Sequence, residues 1–297
     1  MMEDLIARLY PYGVCKSAEK AIKDPVNSPE DCRRIVRTAQ QPPDFQGRQN
    51  RKSIASPDDD HNGENRPQNY EAGLELRLSH KLRGGGPGIV FGTDRNSCDI
   101  VLPYHTGIAR KHFYITFDEK YRLIVRDISH YGTIVTYNNR GRGRRKNFTW
   151  IVGGDKVADS FKNIMIEIHP ELKFQIVIPK DHGERELFTD NVDHFLKKVT
   201  TKDELRIGTL GLQSTHLTTA PSGEETPKQT GIFLKLGTLG EGAFGVVRRV
   251  WDVSTGNEYA SKRCHNLQDT TWKREADVMR NTSHVGIDVA PVLEILY

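Results

Sequence analysis

Apolar and polar residues alternate with period two through the middle of the chain. Leu74, Leu76 and Leu78 alternate with Glu75 and Arg77, and Phe113, Ile115 and Phe117 flank Tyr114 and Thr116. Further apolar runs lie at Leu123–Val125, Thr133–Tyr137, Ile164–Ile168 and Phe174–Ile178, with Gly, Asn, Asp and Pro turns between them. Many short strands at close spacing predict an all-β sandwich or barrel over residues 72–180, the size of one domain. The flanks differ. Asp4 to Leu9 predicts one or two helical turns, interrupted by Asp24-Pro25 and Ser28-Pro29, so residues 1–40 read as a loosely ordered arm. Residues 41–69 hold almost no apolar side chains, and such a segment cannot bury enough surface to offset its ordering entropy. The N-terminal unit, 1–71, is therefore expected to be largely disordered. After Pro179, Phe188, Val192, Phe195, Leu196 and Val199 share one helix face. That helix sits in a polar linker over 181–230, and strand character resumes in a last unit, 231–297. No internal repeat is found.

The last unit carries candidate chemistry. Gly240-Glu241-Gly242-Ala243-Phe244-Gly245-Val246-Val247 fits GxGxxGxV. GxGxxG alone is weak, because dinucleotide folds and plain hairpins use it too. A dinucleotide fingerprint must run from a strand into a helix. Here Phe233–Leu236 precedes the loop as a strand, and Val246–Trp251 follows as another. The Ser254–Asn257 turn and a third strand, Glu258–Lys262, come next. Glycines let a backbone approach phosphates without Cβ clashes, and Lys262 would reach them as a point charge. Asp269–Arg280 reads as a short helix with Glu275 as the natural partner of Lys262.

From Phe233 to about Arg280 the chain resembles the N-terminal lobe of eukaryotic serine/threonine protein kinases. Gly240, Gly242, Gly245 and Val247 match that family's loop. Ala260 and Lys262 match its Val-Ala-Ile-Lys strand, with Ser261 where Ile is usual, and Glu275 matches its helix glutamate. The resemblance implies a truncated α+β lobe, an antiparallel sheet plus one helix. In it Gly240, Glu241, Gly242, Ala243, Phe244, Gly245, Val247, Ala260, Lys262 and Glu275 hold ATP. No His-Arg-Asp and no Asp-Phe-Gly follow, so no catalytic base and no magnesium ligand are expected. The fragment is expected to be inactive as written.

A second resemblance lies in the β block. Phe91–Pro103, Ile108-Ala109-Arg110-Lys111-His112 and Asp127-Ile128-Ser129-His130-Tyr131-Gly132-Thr133 look like the three signature segments of a forkhead-associated (FHA) domain. That family binds phosphothreonine peptides at one end of a β-sandwich, through an Arg that pairs with the dianionic phosphate and directed Ser and Asn hydrogen bonds. The family's arginine falls at Thr93, its serine at Ala109 and its asparagine at Tyr131. Arg110, Arg95 and His130 are the residues left to meet a phosphate, and His112 is expected to brace the loops from inside. The combined layout resembles fungal checkpoint-type kinases. The alternative is a non-catalytic phosphothreonine-binding or docking module.

Composition changes the picture little. The formal charge is +4, from 43 Lys and Arg against 39 Asp and Glu, so bulk charge does not point to nucleic acid. The basic run Arg140–Lys146 reads as a solvated hairpin, with nucleic-acid contact or nuclear import as the functional alternatives. Cys15, Cys32, Cys98 and Cys264 lie far apart without a CxxC pair, which favours reduced thiols and an intracellular setting, nucleus or cytoplasm. No apolar run reaches membrane-span length, and Met1–Tyr10 lacks a secretory pattern. Ser28-Pro29, Ser56-Pro57 and Thr226-Pro227 are candidate proline-directed phosphorylation sites of little weight.

Overall fold

The alternating segments pair into two antiparallel sheets with a shared core. The structure is a computed structural model that describes residues 4–13, 15–27, 34–36, 72–83, 86–179, 187–198, 231–243 and 245–265. The strands are β1 (Leu5–Pro11), β2 (Arg34–Val36), β3 (Ala72–Arg77), β4 (Ile89–Gly92), β5 (Ile100–Val101), β6 (Phe113–Phe117), β7 (Leu123–Asp127), β8 (Ile134–Tyr137), β9 (Thr149–Gly153), β10 (Ile164–His169) and β11 (Leu172–Val177). One sheet has the order β2-β3-β1-β11-β10-β8, the other β5-β4-β6-β7-β9. All neighbours are antiparallel except β4 and β5. In β7, Leu123, Val125 and Asp127 are buried while Ile124 and Arg126 are half-buried, the period of a strand with one face on the core. Phe91 and Phe113 stack in that core with ring centroids 4.4 Å apart.

The N-terminal segment departs from the sequence reading. Residues 4–9 are not a helical turn in a loose arm. Leu5–Pro11 is a strand between β3 and β11, with Leu9 opposite Leu74 on one side and Ile176 on the other. Helix α1 (Lys16–Lys23) follows and buries Ala18, Ala21 and Ile22 in the same core. The physical reason is a register shift between Leu5 and Ala7, which buries Leu5, Ile6 and Ala7 in succession. Arg8, paired with Glu75, then interrupts a buried run that continues through Leu9 and Tyr10. Periodicity cannot tell so short and nearly apolar a run from a short helix. Asn27 then ties the turn after α1 to β5. Its Nδ2 donates to the Ala21 and Val101 carbonyls at 2.8 and 2.9 Å, and its Oδ1 accepts from Val101 N at 2.9 Å.

Residues 187–198 form a second helix, α2. Val192 and Phe195 are buried, and Phe188 and Phe195 meet Phe117 edge-on at 6.0 and 6.2 Å. This helix packs on the sandwich rather than bridging open solvent.

The last strands, β12 (Phe233–Gly242), β13 (Gly245–Asp252) and β14 (Glu258–Cys264), form a three-stranded antiparallel sheet. Its base is docked on the sandwich. Trp251 is fully buried, 5.5 Å from Tyr137 in a T-shaped contact and 6.1 Å from Phe161. Ile151 N donates to Val253 O at 2.8 Å, and Arg122 Nη1 donates to Thr255 O at 2.8 Å. Gly256 has φ +78°, and a Cβ there would lie 2.2 Å from Arg122 Nη1. The Tyr137 hydroxyl donates to Ile151 O at 2.6 Å, and burial raises its pKa well above the ordinary value. Among the described residues, no helix is long and apolar enough to cross a membrane.

Candidate functional site

Three loops meet at one end of the sandwich: 93–99, 102–112 and 128–133. Backbone bonds knit the first two. Thr93 N donates to Ala109 O at 3.2 Å, Asp94 N to Arg110 O at 3.1 Å, and Leu102 N to Gly92 O at 2.7 Å. Gly92 is required by this closeness, since a Cβ there would sit 2.1 Å from Arg110 O. Gly132 has φ +81°, and its Cβ would lie 2.8 Å from Arg145 O.

His112 fastens the second loop to the third. It is fully buried, and its Nδ1 accepts from Ala109 N at 3.0 Å. The neutral ring therefore carries its proton on Nε2, which faces Gly132 O and Ser129 Oγ, both at 3.4 Å. Burial lowers its pKa, partly countered by Asp127 and by the Gly132 carbonyl. Asp127 is the hub of the third loop. Its Oδ2 accepts from Ser129 Oγ at 2.9 Å and Thr133 Oγ1 at 2.7 Å, and its Oδ1 from Asn147 N at 2.9 Å. Ser129 Oγ in turn accepts from Gly132 N at 2.7 Å. The carboxylate thus spends its lone pairs on shaping the turn and does not face solvent.

The protein-family model described as "FHA domain" matches residues 89–157. This part of the chain is an FHA domain. No curated protein matches the sequence. Among solved structures, one of Rad53 residues 1–466 in complex with AMP-PNP is 21% identical with a TM-score of 0.35, covering 66% of this chain. The chain spans only 40% of that Rad53 chain. An engineered FHA with a Myc-pTBD peptide is 23% identical with a TM-score of 0.24, covering 34% of this chain and 69% of the other.

At the loop end of the FHA domain, the residues proposed from sequence are spread around the rim. Arg110 has a side chain 85% exposed, and its Nη2 donates to Asp94 Oδ2 at 2.9 Å. The Asp94 carboxyl is held below its usual pKa first by the Asn96 N–H, then by Ser97 and Arg110. Arg95 reaches away to Asp24 Oδ2 at 3.1 Å, in the segment after α1. His130 and Tyr131 are exposed, Thr93 and Ala109 half-buried. Sequence reasoning did not single out Asp94 or Asp24 as partners of these cations, nor Tyr104, a residue 84% exposed in the 102–112 loop. The spacing Asp94-x-Asn96 was a local signal, for it forms the turn in which Asn96 N donates to Asp94 Oδ1 at 3.0 Å. Asp24 gave none, being far away in sequence.

Cys98 lies beneath this end, its thiol donating to Arg110 O at 3.0 Å, and burial pushes its pKa up to about 11. It is a structural, unreactive thiol. Cys15 is also free and buried, and Cys32 lies outside the described residues.

The basic run is built into the fold. Arg140 Nη1 donates to Lys235 O at 2.6 Å and stacks over Phe161 at 5.4 Å. Arg144 donates to Gly132 O at 2.6 Å and Ile168 O at 3.0 Å. Tyr137, Phe148 and Trp150, the nearby aromatics, are core residues.

The glycine-rich segment is a hairpin, with Gly240 opposite Val247, Glu241 opposite Val246 and Gly242 opposite Gly245. Glu241, Gly242 and Ala243 are exposed at its tip. Added Cβ atoms at Gly240 and Gly242 would meet nothing within 4 Å. Val247 pairs with Lys262 and Arg249 with Ala260, so Val247, Ala260 and Lys262 lie on one face of the sheet. Arg249 and Glu258 form an exposed ion pair across the strands, which lowers the Glu258 pKa. Phe244 and Glu275 lie outside the described residues, as do the three Ser/Thr-Pro sites.

Proposed function

We propose that the FHA domain of this chain docks acidic, phosphothreonine-bearing protein segments, with Arg110 as the chief phosphate contact. The carrying observation is the Arg110 guanidinium, exposed on a loop end that buried His112 and Asp127 hold in shape. Its present partner, Asp94, is a single surface carboxylate, and exposed pairs of this kind are weak. A phosphate dianion on the same guanidinium makes stronger, charge-assisted hydrogen bonds. The test is a phosphothreonine peptide library presented to the full chain. Arg110→Ala is expected to lose the phosphate-dependent binding, and binding indifferent to phosphate would sink the reading.

The second reading concerns the hairpin. We infer that Gly240, Gly242, Gly245, Val247, Ala260 and Lys262 contact the phosphates of ATP, as in the protein-kinase lobe that this stretch resembles. The register that gathers Val247, Ala260 and Lys262 on one sheet face supports this. The expected result is thermal stabilisation by ATP that disappears in Lys262→Ala. If ATP gives no shift with the unaltered chain, nucleotide contact is not a property of this hairpin.

A further inference from the structure

The same end of the sandwich carries a cluster that neither reading uses. β10 runs antiparallel to β8, with Glu167 opposite Ile134, so His169 ends β10 beside the 128–133 turn. The loop after β5 brings His105 against it, with the two imidazole rings stacked at 5.3 Å and 21°. Glu171, in the turn between β10 and β11, adds a carboxylate. One ligand atom from each of His105, His169 and Glu171 lies within 4.8 Å of the others.

We propose that His105, His169 and Glu171 bind a divalent cation of the zinc class. The first argument is distance. His105 Nδ1 and Glu171 Oε2 are 3.8 Å apart, too far for a hydrogen bond. Two ligands flanking one zinc, each about 2.0–2.2 Å from it, stand about 3.3 Å apart in a tetrahedral site. Glu171 needs only a small swing to close that gap, and its side chain is 68% exposed. The second argument is orientation. His105 Nε2 and Ser17 Oγ are hydrogen-bonded at 2.9 Å, which fixes the ring with Nδ1 toward Glu171. A ligand histidine held through its other nitrogen is the usual way a metal site sets the ring. The third is ligand chemistry. Two imidazoles and one carboxylate suit zinc and its borderline neighbours, whereas calcium and magnesium prefer all-oxygen shells. Glu171 N donates to His169 Nδ1 at 3.2 Å, a long bond that a metal on that nitrogen would displace. Bound metal would join the loop after β5 to the β10–β11 turn and, through Ser17, to α1.

The experiment titrates zinc chloride into the tag-free full chain against a chromophoric chelator, with cobalt(II) absorption as a second readout. One saturable equivalent is expected. His105→Ala and His169→Ala should each abolish it. Glu171→Gln changes an exposed side chain and leaves the melting temperature of the metal-free chain intact, so it decides the matter if the histidine variants fail to fold. It should weaken zinc at least about tenfold, and Ser17→Ala roughly tenfold, as loss of an orienting partner does. Absence of saturable zinc uptake overturns the proposal. So does unaltered affinity in Glu171→Gln, or magnesium competing as well as zinc.

Discussion

The FHA loop end and the tip of the glycine-rich hairpin are opposites in construction. At the loop end the scaffold is over-determined. Asp127 accepts from Ser129, Thr133 and Asn147, His112 bridges two loops, and Gly92 and Gly132 leave no room for a Cβ. Yet the positions that the FHA resemblance leads one to expect at the phosphate hold Thr93, Ala109 and Tyr131. At the hairpin the kinase-like pattern residues are present, but a Cβ added at Gly240 or Gly242 would meet nothing within 4 Å. The hairpin's rigidity comes from its base, where Trp251 and Val253 enter the sandwich. Buried hydrogen-bond networks fix a shape whether or not the ligand contacts survive, whereas an exposed glycine hairpin is held by its strand pairing alone and keeps its sequence signature there. Motif and scaffold are therefore separate signals, and each region displays one without the other.

The contrast can be broken at its strongest point first. Trp251→Ala removes a fully buried indole between Tyr137 and Phe161 and should cost about 3–5 kcal/mol. In urea the hairpin should then melt ahead of the sandwich, seen as probe-dependent transitions. Asp127→Ala leaves the donors of Ser129, Thr133 and Asn147 without their acceptor and should cost about 2–3 kcal/mol, with loop amides exchanging faster by NMR. Gly256→Ala adds a Cβ against Arg122 at a positive φ, and should lower stability by about 1–2 kcal/mol. By contrast Gly240→Ala should leave the unfolding free energy from urea titration within about 0.5 kcal/mol of the parent.

The smallest effect is a pH dependence. Burial holds the His112 pKa below its ordinary value, so the unfolded chain takes up a proton that the folded one refuses. Its contribution is fully present above about pH 6.5 and is lost as pH falls from there toward the folded value. Urea midpoints at several pH values should show this decline, and His112→Gln should flatten it.

The sandwich was legible where strands have one wet face. β7 alternates because one of its sides is the wetter, and that alternation is written into Leu123–Asp127, while Phe113–Phe117 of β6 alternates in sequence although Thr116 is buried. The period-3.6 face of Phe188, Val192, Phe195 and Leu196 is the face that α2 lays on the sandwich. β1 was illegible because a register shift between Leu5 and Ala7 buries neighbouring residues together and erases the alternation. At the site, the local turn Asp127-x-Ser129 could be read because its bond spans two residues, and Asp94-x-Asn96 is a turn of the same span that was not singled out. Arg95 was read as a phosphate ligand, while its partner, Asp24, is 71 residues away and only the fold brings it near. The basic run likewise looked solvated, because nothing local announces that Arg140 reaches Lys235 and Arg144 reaches Ile168.

β1 also sets a timetable. It leaves the ribosome well before β11, yet β11 is one of its two neighbours in the sheet, with Leu9 opposite Ile176. β1 must therefore wait, unpaired on that edge, until nearly the whole sandwich has been synthesised. Such distant pairing slows folding and leaves an apolar edge open in the meantime. A nascent chain stalled before residue 172 should be sticky and chaperone-bound, and one stalled after α2 has emerged should be protease-resistant. For the same reason, an expression boundary drawn at the first alternating segment, near residue 72, would remove an interior stave of the barrel-like wall rather than trim a loose end.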